Sequence, residues 1–141
     1  MAGYSGTPLT KKLGIKEGYR VALVGAPDRF REELNDLPPS VTFVTSLAAQ
    51  LDLILFFVTS QSEMTRNFPR LAAKLKPAGM LWIAWPKRAS GVTTDLSDYA
   101  VRQIGLDAGL VDVKVCAVNE VWSGLKFVIR VKDRPSVSKT P

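Results

Sequence analysis

An α/β fold is predicted: a three-layer, doubly wound sheet that is mostly parallel and is closed by an antiparallel C-terminal hairpin strand. Three observations predict it. Residues 20–24, 52–58 and 80–85 are continuous apolar runs of strand length, as expected of strands covered on both faces. Segments with helical spacing of apolar residues alternate with those runs. Residues 111–118 and 126–132 then change to partial alternation around a turn-forming stretch at 119–124, which reads as a hairpin.

Along the chain, Thr7-Pro8 starts a short helix bearing Leu9, Leu13 and Ile15, with Lys11 and Lys12 on another face. This arm, residues 1–18, either covers the sheet or docks onto a second subunit, and covering the sheet is favoured. Residues 20–24 form the first strand. Phe30, Leu34 and Leu37 then share one helical face behind an Asp28 N-cap, and Pro38-Pro39 stops that helix. Residues 41–45 are a short β-branched strand near the sheet edge. Residues 52–58 form a buried strand. A helix over 62–76 carries Met64, Phe68, Leu71, Ala72 and Leu75 on one stripe, with a kink at Pro69 or a restart near Asn67. Residues 80–85 make the next buried strand. The last helix spans 95–108, capped by Ser97 or Asp95 and ended by Gly109. Residues 1–132 read as one domain, and 133–141 as a disordered basic tail.

Composition excludes several function classes. The 141 residues are 46% hydrophobic and 23% charged, ordinary for a soluble domain. Absence of histidine removes Ser-His-Asp and Cys-His nucleophile pairs and imidazole metal ligation. The single cysteine, Cys116, permits no intrachain disulfide and reads as a small buried hydrophobe. No metal and no catalytic constellation are expected. No apolar run is long enough to cross a bilayer and the N-terminus has no signal pattern, so cytoplasmic residence is the default. The formal net charge is +6, but the lysines and arginines are scattered, so nucleic acid ranks last among partners.

The first strand ends in Val24-Gly25-Ala26-Pro27-Asp28, where a nucleotide-binding fold places its glycine-rich loop. A G-x-G-x-x-G fingerprint read from Gly25 needs glycine at 27 and 30, and the chain has Pro27 and Phe30. Proline has no N–H to offer, and a phenylalanine Cβ keeps the backbone from close approach. No bound cofactor is therefore expected.

Residues 71–83, with the turn Leu75-Lys76-Pro77-Ala78-Gly79, resemble the helix-turn-strand signature of class I S-adenosylmethionine-dependent methyltransferases. Residues 52–55 resemble their fourth strand, and the closing hairpin resembles their sixth and seventh. The resemblance covers residues 20–132 and implies a Rossmann-like sheet lacking one βα unit. The chain departs from that family in its reduced first loop. It departs again at the end of the second strand, where Thr45-Ser46 replaces the acidic residue that holds the ribose. The next carboxylate, Asp52, belongs at the opposite end of the sheet. As a whole the chain also resembles a family of small bacterial proteins with no assigned activity. That family has a G-Y-S-G-T-P-L arm, here residues 3–9, and a K-V-C-A…W-S-G-L-K hairpin, here 114–126; it brings no catalytic residues with it.

Ligands of open α/β sheets bind beyond the carboxyl ends of the strands. The weak ligand-binding candidates on that rim are Gly25, Thr59, Ser60, Trp85, Lys87, Trp122, Ser123 and Lys126. They converge if the last strand inserts beside the 80–85 strand, and together they suit a small anionic or aromatic ligand. Glu120 is a carboxylate without a visible partner. Thr59-Ser60 reads equally as a helix cap, and the tryptophans as packing. Three functions follow in order: a non-catalytic protein acting through protein partners or self-association, a ligand-binding or divergent methyltransferase-like protein with an altered rim site, and nucleic-acid binding.

Overall fold

The computed structural model describes residues 7–48 and 50–134; the arm before Thr7 and the tail after Arg134 lie outside the described residues. Six strands form one sheet in the order β2-β1-β3-β4-β6-β5. They are β1 (Arg20–Val24), β2 (Thr42–Phe43), β3 (Leu51–Phe57), β4 (Leu75–Pro86), β5 (Leu110–Ala117) and β6 (Trp122–Ile129). Strands β2, β1, β3 and β4 run parallel, and β6 lies antiparallel between β4 and β5. The last strand inserts beside the 80–85 strand, the condition set for the rim candidates to converge, with Met80 opposite Val128 and Pro86 opposite Trp122.

Helices α2 (Gln61–Ala72) and α3 (Asp98–Asp107) cover one face of the sheet. Their apolar stripes, including Met64, Phe68, Leu71 and Val101, close on Ile54, Phe56, Leu81, Ile83, Trp85 and Phe127. The opposite layer is thinner. It consists of α1 (Leu9–Leu13), a short 3₁₀ turn at Phe30–Glu33 and the chain around them. Leu13, Ile15, Phe30 and Leu34 pack there on Leu53, Leu55, Phe57 and Trp82. The fully buried Trp82 donates its indole N–H to the Leu13 carbonyl at 2.9 Å. That bond ties α1 to the middle of the sheet, so α1 covers the core.

Several elements differ from expectation. The helix anticipated after Pro27 is only the single 3₁₀ turn, and Asp28 does not cap it. The residue before the turn, Arg29, has φ 65°, and Leu34 leaves the turn at ψ 88°. One turn already buries Phe30 and Leu34, and the turn-forming Asn35-Asp36 pair, with Asp36 at φ 57°, then directs the chain toward β2. Pro69 lies inside one uninterrupted helix instead of marking a restart near Asn67. It is exposed, as is Thr65, so the Thr65 carbonyl that loses its i+4 donor belongs to the exposed face of the helix. Strand β4 begins at Leu75, not Met80. Its first residue pairs with Leu51, and the register then shifts so that Leu53 meets Met80; the Lys76–Gly79 turn is thus absorbed into an irregular strand. The hairpin connection is shorter than expected, because Trp122 and Ser123 already belong to β6. Asp133, read as the start of the tail, closes a last 3₁₀ turn at Val131–Asp133.

Candidate functional site

The carboxyl ends of β1, β3 and β4 and the β5–β6 turn form one rim, because β6 begins opposite the end of β4. Gly25 leaves β1 at φ 69°, and a Cβ placed there would stand 2.8 Å from the Phe57 carbonyl oxygen. The glycine is required by close approach to β3, and the backbone it exposes faces protein, not an open cradle. The loop then turns back through Pro27, whose carbonyl accepts from the Phe30 N–H at 3.0 Å. Phe30 is 1% exposed. Its ring meets Phe57 edge-on at 4.8 Å, and Phe57 meets Trp122 the same way at 5.0 Å. Three aromatic rings thus fill the rim on the α1 side.

Thr59 and Ser60 serve the α2 terminus. Ser60 Oγ accepts from the Glu63 N–H at 3.1 Å, and the Thr59 carbonyl accepts from Thr94 Oγ1 at 2.6 Å. Gln61 is held twice by Asp95, through its own N–H and its side-chain amide. The Gln61 and Glu63 N–H groups at the start of α2 are therefore taken by the chain itself.

The remaining candidates separate. Trp85 and Ser123 are register partners, as are Pro86 and Trp122, so these four are neighbours. The indoles nevertheless point to opposite faces: Trp85 packs with the α2–α3 layer and Trp122 with the α1 layer. Lys87 is fixed at the rim by its backbone N–H on the Val121 carbonyl at 2.7 Å. Lys126 does not join it, contrary to the sequence reading. It pairs with Trp82 in mid-strand, four residues or about 13 Å along β6 from Trp122, on the α1 face. Burial, then Lys114 and Lys16, pull its ammonium below the ordinary lysine value.

The open space on the rim lies elsewhere. A cleft of about 800 Å³ is lined by Pro8, Leu9 and Lys12 of the α1 region, by Glu33, Asn35 and Asp36, and by Val118–Val121 of the hairpin turn. Asn119 organises its wall. Its Oδ1 accepts from the N–H groups of Val121 and Trp122 at 2.9 and 3.0 Å, and its Nδ2 donates to Glu33 at 3.1 Å. Of the residues weighed from sequence as chemistry for a site only Glu120 lines this cleft, and it stands there with Glu33 and Asp36. Three carboxylates against Lys12 favour a cationic occupant, not the anion anticipated. Glu33 and Asp36 escaped notice because they sat in a segment read as a helix with Phe30, Leu34 and Leu37 on one face; the Asn35-Asp36 turn signal could have exposed them.

An adenosyl cofactor does not fit the residues present. The first loop is closed by Phe57 and Pro27, and the end of β2 offers Thr45-Ser46 in place of a carboxylate. Asp52 is indeed at the far end of the sheet, where it accepts from the Arg20 N–H at 2.8 Å and pairs with Lys76 at 3.2 Å. Among the described residues no group of carboxylates and cysteine is arranged to hold a metal ion, and no helix is long and apolar enough to cross a membrane.

No family model matches the sequence, and no curated protein matches it. Solved structures do match in fold. A protein from Bordetella parapertussis, described as a possible exported protein, is 12% identical with a TM-score of 0.63; the match covers 86% of this chain and 65% of that one. An Aquifex aeolicus SAM-dependent methyltransferase is 20% identical with a TM-score of 0.60, covering 83% and 85%. Aeropyrum pernix fibrillarin with natively bound S-adenosyl-L-methionine is 16% identical with a TM-score of 0.57, covering 89% and 70%. Strand order, the antiparallel β6 and these likenesses agree: the chain has a Rossmann-like fold of the class I methyltransferase type, shortened by one strand–helix unit.

Proposed function

We propose that this protein is a non-catalytic binding protein on a methyltransferase-type scaffold, acting through protein partners or association with copies of itself. The first loop carries the reading. Gly25 is pressed against the Phe57 carbonyl, Pro27 has no N–H, and Phe30 is buried beneath. Methyl transfer depends on holding the donor in line with the acceptor, so a chain without a donor site loses the reaction whatever else its rim retains. Support for a partner comes from β5, a free sheet edge whose Val113 and Val115 are 54% and 51% exposed; such an edge presents unpaired backbone groups to a second chain. One structural neighbour, from Haloferax volcanii, is a complex of a methyltransferase with a methyltransferase activator. The test is thermal unfolding with S-adenosylmethionine or S-adenosylhomocysteine, together with light scattering on the eluted protein. An unchanged melting temperature and a complex or oligomer weakened by Val115→Lys are expected; a saturable rise in melting temperature overturns the reading.

A second reading is carried by the rim cleft. Its volume suits a small molecule, and Glu33, Asp36 and Glu120 suit an amine or guanidinium. Saturable binding of a cationic compound that is lost in Glu33→Gln would select this reading over the first.

A further inference from the structure

Lysines far apart in sequence meet on the α1 face of the sheet. Lys114 of β5 and Lys126 of β6 are direct cross-strand partners. The Lys114 ammonium donates to the Lys12 carbonyl at 3.2 Å, and the Lys12 ammonium donates to the Ala117 carbonyl at 3.3 Å. Lys16, just after the α1 turn, is close enough to act on Lys126 electrostatically. Like charges directly opposite in a sheet repel. Ion pairs among the described residues engage Arg29, Lys76 and Arg102, and none of these four lysines. Each ammonium has three donors, and backbone carbonyls occupy one each on Lys12 and Lys114. A cluster of four cations with no ion pair among the described residues, and with carboxylates only beyond Lys12 and Lys16 at its edge, is complementary to a compact, multiply charged anion.

We propose that Lys12, Lys16, Lys114 and Lys126 bind an oligophosphate, two or more linked phosphoryl groups such as a nucleotide or polyphosphate carries. A carboxylate supplies one charge and would leave most of the repulsion in place, whereas a triphosphate roughly matches the cluster. Recognition is by charge alone. Lysine offers point charges without the arginine fork, and the one exposed aromatic side chain among the described residues, Tyr99, belongs to α3 on the other face, so there is no platform for stacking bases. The site is distinct from the rim cleft, with Lys12 standing between them.

Calorimetric titration of the full chain with inorganic tripolyphosphate at low salt tests the assignment. One-to-one saturable binding is expected, weakened at least tenfold in Lys126→Met and in Lys114→Met and within twofold of wild type in Lys74→Met. Without ligand, Lys126→Met should melt above wild type, because the cross-strand repulsion is gone; this also shows that the variant folds. Absence of binding overturns the proposal. So does equal weakening by all three substitutions, which would indicate attraction to net charge. Binding of a single-stranded oligonucleotide that tripolyphosphate cannot displace likewise overturns it, in favour of an extended polyanion surface.

Discussion

Replacing Gly25 by alanine separates a structural glycine from a cofactor-loop glycine. In a loop that cradles a ligand, the added methyl would impair binding and leave the empty protein nearly as stable. Here two costs fall on the fold itself. The residue sits at φ 69°, where an L-residue is disfavoured by about 1–2 kcal/mol. The new Cβ would also stand 2.8 Å from the Phe57 carbonyl oxygen, a backbone atom inside a parallel pair, and such overpacking costs about 1–3 kcal/mol. The sum is about 2–5 kcal/mol, or a melting temperature lowered by roughly 6–15 °C for a domain of this size. Thermal and urea unfolding followed by tryptophan fluorescence measure it, since buried Trp82 and Trp85 report on the core. A loss below about 2 °C would show that the loop relaxes freely and that Gly25 is not pinned, and the closed-loop argument would fail with it.

Other outcomes follow from particular contacts. Gly105→Ala, which would stabilise an exposed helix by about 1 kcal/mol, should destabilise this one, because the added Cβ would stand 2.1 Å from the Phe127 ring; urea midpoints give the sign. Trp82→Phe should cost about 1–3 kcal/mol by leaving the Leu13 carbonyl buried without its donor, and hydrogen exchange should rise first in α1. Burial pushes the Cys116 thiol up despite Lys12 and Lys114, so alkylation near neutral pH should be slower than for a free thiol and should become fast on unfolding. Lys126 loses its proton more readily folded than unfolded. Between its lowered value and 10.5 the unfolded chain therefore binds more protons, and stability gains from this group as pH rises through that window. The difference in unfolding free energy between wild type and Lys126→Met should change over alkaline pH accordingly.

The parallel frame was legible because β1, β3 and most of β4 are apolar on both faces, a pattern set by burial rather than by any motif. The antiparallel hairpin was legible from chain order, though its insertion beside β4 was only a condition, and the α2 and α3 caps were legible from Ser60 and Ser97, which do accept from Glu63 and Ala100. The segment after Pro27 was not legible. Phe30, Leu34 and Leu37 have helical spacing, but one 3₁₀ turn buries the first two as well as a helix would, and spacing cannot distinguish them. The site was less readable than the fold for a related reason. Strand alternation sends Trp85 and Trp122 to opposite faces and carries Lys126 away from Lys87, and those parities depend on a register that the sequence does not display. The rim cleft depends on α1, the 33–36 segment and the hairpin turn meeting in space, which no local pattern records. The meeting of Lys12 and Lys16 with Lys114 and Lys126 is likewise a tertiary event.

Titration of the isotopically labelled protein with S-adenosylmethionine, read at the backbone amides of Gly25, Ala26 and Asp28, tests the central claim most directly. Resonances that stay in place through an excess of ligand are the predicted result. Saturable shifts at those amides, with the β3 end responding alongside, would contradict it and restore a donor site to the first loop.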